Sequence, residues 1–278
     1  MAYDLHTHSK ISDGTQTVAE LVRQVAQTKL TGFALTDHDT SAGWAQAAQE
    51  AEAQGLDFVP GMEISCTQQG LSIHLLSYFH DPNYQPLLKE IQQARQARLD
   101  RAHRMVDLIS RDYPISWEQV QKQAGPGATL GRPHIADALL AAGLVADRSQ
   151  AFATILAADS PYYLPYEALN PSRAVELVRA AGGVPVLAHP KAANRGAAIP
   201  SQLIREMIQA GLLGLEVYHR DNGPQHRLEL SRLAEQHHLL ITGSSDYHGA
   251  GKPNQLGEHT TSDQTLARIR QLAGQPES

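Results

Sequence analysis

The sequence predicts an α/β protein, with strands joined by helical crossovers and one helical interruption. Three observations carry this. Short apolar runs alternate with amphipathic runs of helical period. Histidines and carboxylates fall near the ends of the apolar runs, where α/β barrels and open α/β sheets build their active sites. Between about residues 85 and 170 no run reads as a strand.

The opening strand carries Tyr3-Asp4-Leu5-His6-Thr7-His8. Side chains of an extended chain alternate with period two, so Leu5 packs among apolar neighbours while His6 and His8 share the other face. Asp13 reaches in from the loop that follows. Alone, the pair fits either a metal-ligand set or a hydrogen-bonded interior. A helix follows over 17–29, with Thr15 or Thr17 as N-cap, Glu20 in its first turn and Leu21, Val22 and Val25 as its apolar stripe. Residues 33–36 form a buried strand, with Asp37-His38-Asp39 past its end. A helix over 42–54 stops at Gly55. A strand over 56–63 delivers Glu63 near its end, and one over 71–79 carries His74. Regular alternation implies parallel pairing.

The middle segment opens with a long charged helix over 85–111, breaks at Gly125-Pro126-Gly127, and continues as short helices over 132–142 and 149–158. From Pro171 the alternation resumes. Helices over 172–181, 201–210, 225–237 and 262–274 alternate with three strands. These are 184–189 ending at His189, 214–218 leading to His219, and 239–243 leading into Ser245-Asp246-Tyr247-His248. The division expected is a discontinuous barrel or sheet domain, 1–98 with 171–278, and a helical insert over 99–170.

Composition narrows the function. The 278 residues suit one large domain with an insert, and the formal charge is −6. No basic tract suggests binding of long duplex nucleic acid. The single cysteine, Cys66, leaves no disulfide framework and reads as a small apolar filler. No secretory signal and no apolar stretch of membrane-spanning length is present, so no membrane partner and a cytoplasmic location are expected.

The strand ends supply His6, His8, Asp13, His38, Glu63, His74, His189, Asp246 and His248. So many converging imidazoles and carboxylates are costly to bury without partners, which points to a metal centre. Nitrogen and oxygen donors without thiolate suit zinc, manganese or iron. The set exceeds what one ion needs and suits two or three ions sharing a carboxylate, an arrangement that serves phosphate chemistry.

Asp4-Leu5-His6-Thr7-His8-Ser9, Thr36-Asp37-His38-Asp39, Gly61-Met62-Glu63-Ile64-Ser65, His74, Leu187-Ala188-His189-Pro190 and Ser245-Asp246-Tyr247-His248 resemble the motifs of the PHP (polymerase and histidinol phosphatase) family. The likeness covers residues 1–80 and 171–255, and is greatest to standalone bacterial 3′,5′-nucleoside bisphosphate phosphatases. It implies a distorted (β/α)7 barrel, an inserted helical domain capping the site, and three divalent ions, manganese foremost, with zinc or iron also suited. By the resemblance His6, His8, Glu63 and Asp246 hold one ion. Glu63, His74 and His189 hold a second, with Glu63 bridging. Asp13, His38 and His248 hold a third. The implied activity is removal of the 3′-phosphate of a small nucleotide, such as adenosine 3′,5′-bisphosphate, by a metal-bridging hydroxide. The alternatives are 5′→3′ hydrolysis of short RNA at the same centre, histidinol-phosphate phosphatase, and a non-catalytic scaffold.

Gly131-Arg132-Pro133-His134 opens a helix, and a helix N-terminus bearing Arg132 and His134 suits phosphate, as in the resembling phosphatases. His219 is read as a phosphate contact, a general acid or a rim residue. Lys191 and Arg195 read as solvated loop charges. Asp39 either orients a ligand or caps the helix near Ser41.

Overall fold

The computed structural model describes residues 1–125, 128–192 and 198–276. Pro126, Gly127 and Arg195 lie outside the described residues. Among the described residues the strands are β1 (Ala2–Thr7), β2 (Gly32–Leu35), β3 (Asp57–Gln68), β4 (Leu71–Tyr78), β5 (Val184–Leu187), β6 (Gly214–Tyr218), β7 (Leu240–Gly243) and β8 (Thr261–Ser262). They form one sheet in the order β7-β6-β5-β4-β3-β2-β1-β8.

The sheet curls into a nearly closed barrel whose ends are stitched together. The His8 N–H donates to the Tyr247 carbonyl at 2.9 Å, and the Tyr247 N–H to the His6 carbonyl at 3.2 Å. The Thr261 hydroxyl accepts from the Gly243 N–H and donates to the Gly243 carbonyl. β8 escaped the sequence reading because two residues carry no period.

The expectation of parallel pairing needs correcting on one side. β1–β2–β3 and β5–β6–β7 are parallel, but β4 is antiparallel to both β3 and β5. Gln69 and Gly70 link β3 to β4 with φ of 52° and 77°, the left-handed pair of a two-residue hairpin turn. So short a link cannot return a parallel strand, which needs a crossover of a dozen or more residues. Two placements change with it. Glu63 is mid-strand, because β3 runs on to Gln68 to pair with β4. His74 lies near the start of β4, and only the reversal of β4 brings it to the end of the barrel that holds Glu63 and His189.

Outer helices cover the barrel: α1 (Val18–Ala26), α2 (Trp44–Ala53), α7 (Pro171–Ala180), α8 (Ser201–Gln209), α9 (Pro224–Gln236) and α10 (Asp263–Leu272). α1 shows why the local sequence makes a helix. The Thr17 hydroxyl accepts the Glu20 N–H while the Glu20 carboxylate accepts the Thr17 N–H, closing a capping box. Val18, Leu21, Val22 and Val25 then bury one face, each contributing roughly 1.5–3 kcal/mol.

α3 (Gln85–Ile109), α4 (Trp117–Gln121), α5 (Arg132–Ala141) and α6 (Arg148–Ala153) make up the helical segment. Met105, Val106 and Ile109 pack with Val120, Ile135 and Leu139 in an apolar cluster of their own. Leu87 and Ile91, at the other end of α3, pack with Met62 and Ile64 of the barrel. α3 is therefore a strut belonging to both cores, and the division at 98/99 falls inside it.

Candidate metal centre

β1 aims the first ligands. Tyr3 and Leu5 lie in an apolar cluster with Leu266 and Ile269, while His6 and His8, one face over, are fully buried at the barrel rim. Glu63 is the hub. Its Oε2 lies 3.1 Å from His6 Nε2, 3.0 Å from His8 Nε2 and 3.3 Å from His38 Nε2. Its Oε1 lies 2.7 Å from His74 Nδ1 and 3.1 Å from His189 Nε2. Asp246 Oδ1 sits 3.4 Å from both His6 Nε2 and His8 Nε2. Asp13 lies 3.3 Å from His248 Nε2 and 3.8 Å from His38 Nε2.

The donors form three groups compact enough for an ion: His6, His8, Glu63 and Asp246; His8, Asp13, His38 and His248; and His38, Glu63 and His74. All nine sequence-predicted ligands come together. The grouping differs in detail, since His8 and His38 each stand between two groups, and His189 approaches through Glu63.

These donors fit divalent cations. Among the described residues, His6 Nε2, His8 Nε2, His248 Nε2 and Glu63 Oε2 are buried without a hydrogen-bond partner, although they face one another. An orphaned buried polar atom costs about 1–3 kcal/mol, and several converging on one place call for a ligand that accepts lone pairs. Ligand atoms about 2.0–2.2 Å from an ion stand roughly 3–3.5 Å from each other, which is the spacing seen.

The electrostatics are those of a tightly coupled cluster. Burial opposes charge on Glu63 and Asp13, but the facing histidines outweigh it and hold both carboxylates well below their ordinary range. Burial also opposes protonation of His6 and His8. The carboxylates around them win, raising His6 well above its usual value and His8 to about 9. At His248 burial prevails, helped by the His8 charge, and its pKa falls to about 4.

A supporting layer holds the ligand loops. Asp37 accepts from the Ser9 N–H and from the hydroxyls of Ser9 and Ser12, fixing the loop that carries Asp13. Asp39, at φ 55°, accepts the Ser65 N–H at 2.7 Å and the Ser65 hydroxyl at 2.8 Å, tying the His38 loop to β3. It caps no helix, since Gly43 is the N-cap of α2. Asp4 accepts N–H groups of Ser245 and Gly257, and burial pushes its pKa up to about 6.

A cavity of about 1360 Å³ opens over this centre. One wall carries Asp13, His38, His74, His189 and His248; another carries Arg98, Arg101, Arg132, Phe152, Tyr163 and Tyr166. The Arg101 guanidinium lies over Tyr163 at 4.9 Å and Tyr166 at 4.8 Å, and Arg132 over Phe152 at 5.3 Å. Burial, then the charge of Arg132, lowers the Arg101 pKa to about 10. Arg101 Nη2 is buried without a hydrogen-bond partner.

Sequence reasoning named Arg132 in this wall and missed Arg98 and Arg101. Their spacing of three residues on one helix was the available signal. The two histidines expected to contact phosphate, His134 and His219, both turn inward. Neither lines the cavity. His134 turns inward as a cap residue, its Nδ1 accepting the Gly131 N–H at 3.2 Å. His219 is fully buried behind Asp246, its Nε2 3.7 Å from Asp246 Oδ2. The reason is common to both: a short turn gives each ring a backbone N–H to accept, Gly131 for His134 and Asp221 for His219. Lys191 donates to the Ile199 carbonyl at 3.0 Å and anchors its own loop. Glu216 was also missed. A lone carboxylate inside the strand Gly214–Tyr218 was its signal, because a charge there needs a partner.

A rim of buried imidazoles and carboxylates facing a guanidinium wall defines a metal-dependent phosphoesterase. The chain belongs to the PHP domain family, whose pattern matches residues 4–152. It is 29% identical to the 5′-3′ exoribonuclease Rnm of Escherichia coli over 99% of this chain and 95% of that one. It is also 29% identical to a 3′,5′-nucleoside bisphosphate phosphatase of Chromobacterium violaceum, over 92% of this chain and 90% of that one. Among solved structures, a Bifidobacterium adolescentis chain provisionally classed as a metal-dependent phosphoesterase shares 42% identity and superposes with a TM-score of 0.94, covering 97% of this chain and 96% of its own. No helix among the described residues is long and apolar enough to cross a membrane.

Proposed function

We propose that the protein removes the 3′-phosphate from nucleoside 3′,5′-bisphosphates, adenosine 3′,5′-bisphosphate among them. One observation carries this: a single cavity joins two unsatisfied sets of opposite chemistry. His248 Nε2, unpartnered, lies on one wall with the unpartnered Nε2 atoms of His6 and His8 behind it, and Arg101 Nη2, also without a hydrogen-bond partner, lies on the other. A small molecule with two phosphates and an aromatic base meets both demands.

His6, His8, Glu63 and Asp246 would hold one divalent ion, Glu63, His74 and His189 a second, and Asp13, His38 and His248 a third. Manganese is the ion proposed, and the nitrogen-oxygen donor set also suits zinc or iron(II). Bound there, such ions acidify water toward neutral pH and neutralise phosphate oxygens. Arg101 and Arg132 hold the phosphate that is not cut, beside Arg98, whose guanidinium is tied to Asp39 and Ser65. Tyr163 and Tyr166 line the same wall and offer faces for a base. Clamped at both ends, the scissile ester is aligned for in-line attack by water, which converts a bimolecular encounter into an oriented one. The P–O3′ bond breaks, and the departing oxygen takes a proton to become the nucleoside 3′-hydroxyl. Residues 99–170 act as a cap, carrying most of the arginine wall over the barrel mouth. The substrate is a small cytoplasmic nucleotide, with no membrane or long duplex as partner.

A second reading, 5′→3′ hydrolysis of short 5′-phosphorylated RNA, is favoured by cavity size. Pockets for small ligands run to about 1,000 Å³, and this one reaches about 1360 Å³. Its relative in E. coli bears the exoribonuclease name. Assay of adenosine 3′,5′-bisphosphate beside a 5′-phosphorylated oligoribonucleotide separates the two. Phosphate release from the bisphosphate at the higher kcat/KM supports the first reading. Mononucleotide release from the oligomer alone overturns it in favour of the second.

A further inference from the structure

Glu216 is fully buried on β6, does not line the cavity and belongs to none of the three donor groups. Its two carboxylate oxygens are nevertheless both committed to ligand residues. Oε1 lies 3.0 Å from His6 Nδ1, and Oε2 accepts the His189 backbone N–H at 2.8 Å. His189 has a φ of 28°, a left-handed conformation that a residue with a side chain rarely adopts, and the bond to Glu216 holds it there. Asn222 secures the carboxylate's own backbone, donating to the carbonyls of Glu216 at 2.9 Å and Val217 at 3.1 Å.

We propose that Glu216 is a positioning residue that couples two metal positions through one carboxylate. An ionised carboxylate only accepts, so the proton of the His6–Glu216 bond sits on Nδ1. With Nδ1 committed to Glu216, the nitrogen that gives up its proton to a metal is Nε2, which faces Glu63 and Asp246, where the first ion is proposed. The second oxygen fixes the backbone of His189, whose Nε2 stands 3.1 Å from Glu63 Oε1 beside the proposed second position. One side chain thus sets a ligand on each side of the bridging Glu63. This rests on the metal-centre reading above.

The near-isosteric change Glu216→Gln isolates the idea. A carboxylate can accept both N–H groups, but an amide has one acceptor and one donor. Either His6 is forced into the wrong tautomer or the His189 N–H loses its partner. Metal-free wild type, Glu216→Gln and Glu216→Asp are titrated with Mn²⁺ by calorimetry and by electron paramagnetic resonance, with thermal unfolding of each metal-free chain alongside. The expected result is Mn²⁺ binding weakened about 10–100-fold at two positions together in Glu216→Gln, a metal-free Tm close to wild type, and partial recovery in Glu216→Asp. Wild-type affinity in Glu216→Gln overturns the proposal. So does weakening at one position only, or a fall in the metal-free Tm with unchanged Mn²⁺ binding, which marks a merely structural role. If Glu216→Gln does not fold, Glu216→Asp decides by the same criteria. A wild-type chain that binds no divalent ion at all overturns the metal-centre reading itself, and is told apart by the wild-type titration alone.

Discussion

Buried histidines lie at opposite ends of the barrel, a cluster at one and His80 at the other, and they do different work. At the rim, His6, His8 and His248 are buried with Nε2 atoms that lack a hydrogen-bond partner, and carboxylates stand between them. At the other end, past β4, His80 is equally buried, but its Nδ1 meets the Ser77 hydroxyl at 2.7 Å and its ring packs edge-on to Trp44. Burial alone does not make a histidine a ligand. The difference lies in what is left unsatisfied: the rim is incomplete without cations, and His80 is complete within the protein. Rim substitutions should therefore cost chemistry, and His80 substitutions should cost stability.

The sharpest way to break that contrast is at the rim. His74→Ala and Asp13→Ala should each lower kcat/KM at least about 10³-fold, roughly 4 kcal/mol of transition-state stabilisation, with circular dichroism unchanged. Full turnover in either variant sinks the metal-centre account.

The pH dependence of stability tests the other end. Burial lowers the His80 pKa to about 4, against a slight opposing pull from Asp81. Unfolded, His80 titrates near 6.5. Between those values the unfolded chain binds the extra proton, so stability rises with pH. The contribution is complete above about pH 6.5 and is lost as pH falls to about 4, a change on the order of 3 kcal/mol. Denaturant unfolding of wild type and His80→Asn at pH 7 and pH 5 measures it. The variant should show the shallower loss, and parallel behaviour would remove His80 from the account.

Chelation sharpens the comparison from the ligand side. One ion at a concentration 100 times its Kd adds about 2.7 kcal/mol, which for a chain of this size is about 5–10 °C in Tm. Removing metal should lower the wild-type Tm by that order and leave a Glu63→Ala variant nearly unmoved. Equal losses in both would place the ion elsewhere.

The arginine wall gives the smallest effect. Arg101→Ala should raise KM for a 3′,5′-bisphosphate about 10–100-fold, the value of a charge-assisted hydrogen bond, with kcat little changed. Initial-rate kinetics on the bisphosphate and on a nucleoside 3′-monophosphate would show it, because the monophosphate lacks the group that Arg101 is proposed to hold. Equal KM increases for both substrates would count against that role.

Much of this was legible in the chain. Donor residue types near apolar runs follow from local periodicity, so His6, His8, Asp13, His38, Glu63, His74, His189, Asp246 and His248 could be named from their own neighbours, although Glu63 and His74 lie within β3 and β4 and not at their ends. The helices of the barrel were legible for the same reason, since caps and apolar stripes are local. The direction of β4 was harder. Its two-residue turn, Gln69-Gly70, was a local signal that the prevailing alternation overrode. His134 and His219 were misplaced because a histidine beside a free backbone N–H can turn inward, and residue type does not reveal which way it turns.

The sequence by itself determined the class of chemistry, because a buried set of imidazoles and carboxylates with one buried thiol and no disulfide has few uses beyond holding hard or borderline cations. Tertiary structure alone decided who faces whom. His6 and Glu216 are 210 residues apart, and His189 and Glu63 are 126 apart. Distances of 3 Å between such groups exist only after the sheet has closed. So do the grouping of donors around Glu63, the arginine wall across the cavity and the sharing of Glu216 between two ligands. Each depends on long-range register, and register is a property of the closed barrel and of no single stretch of chain.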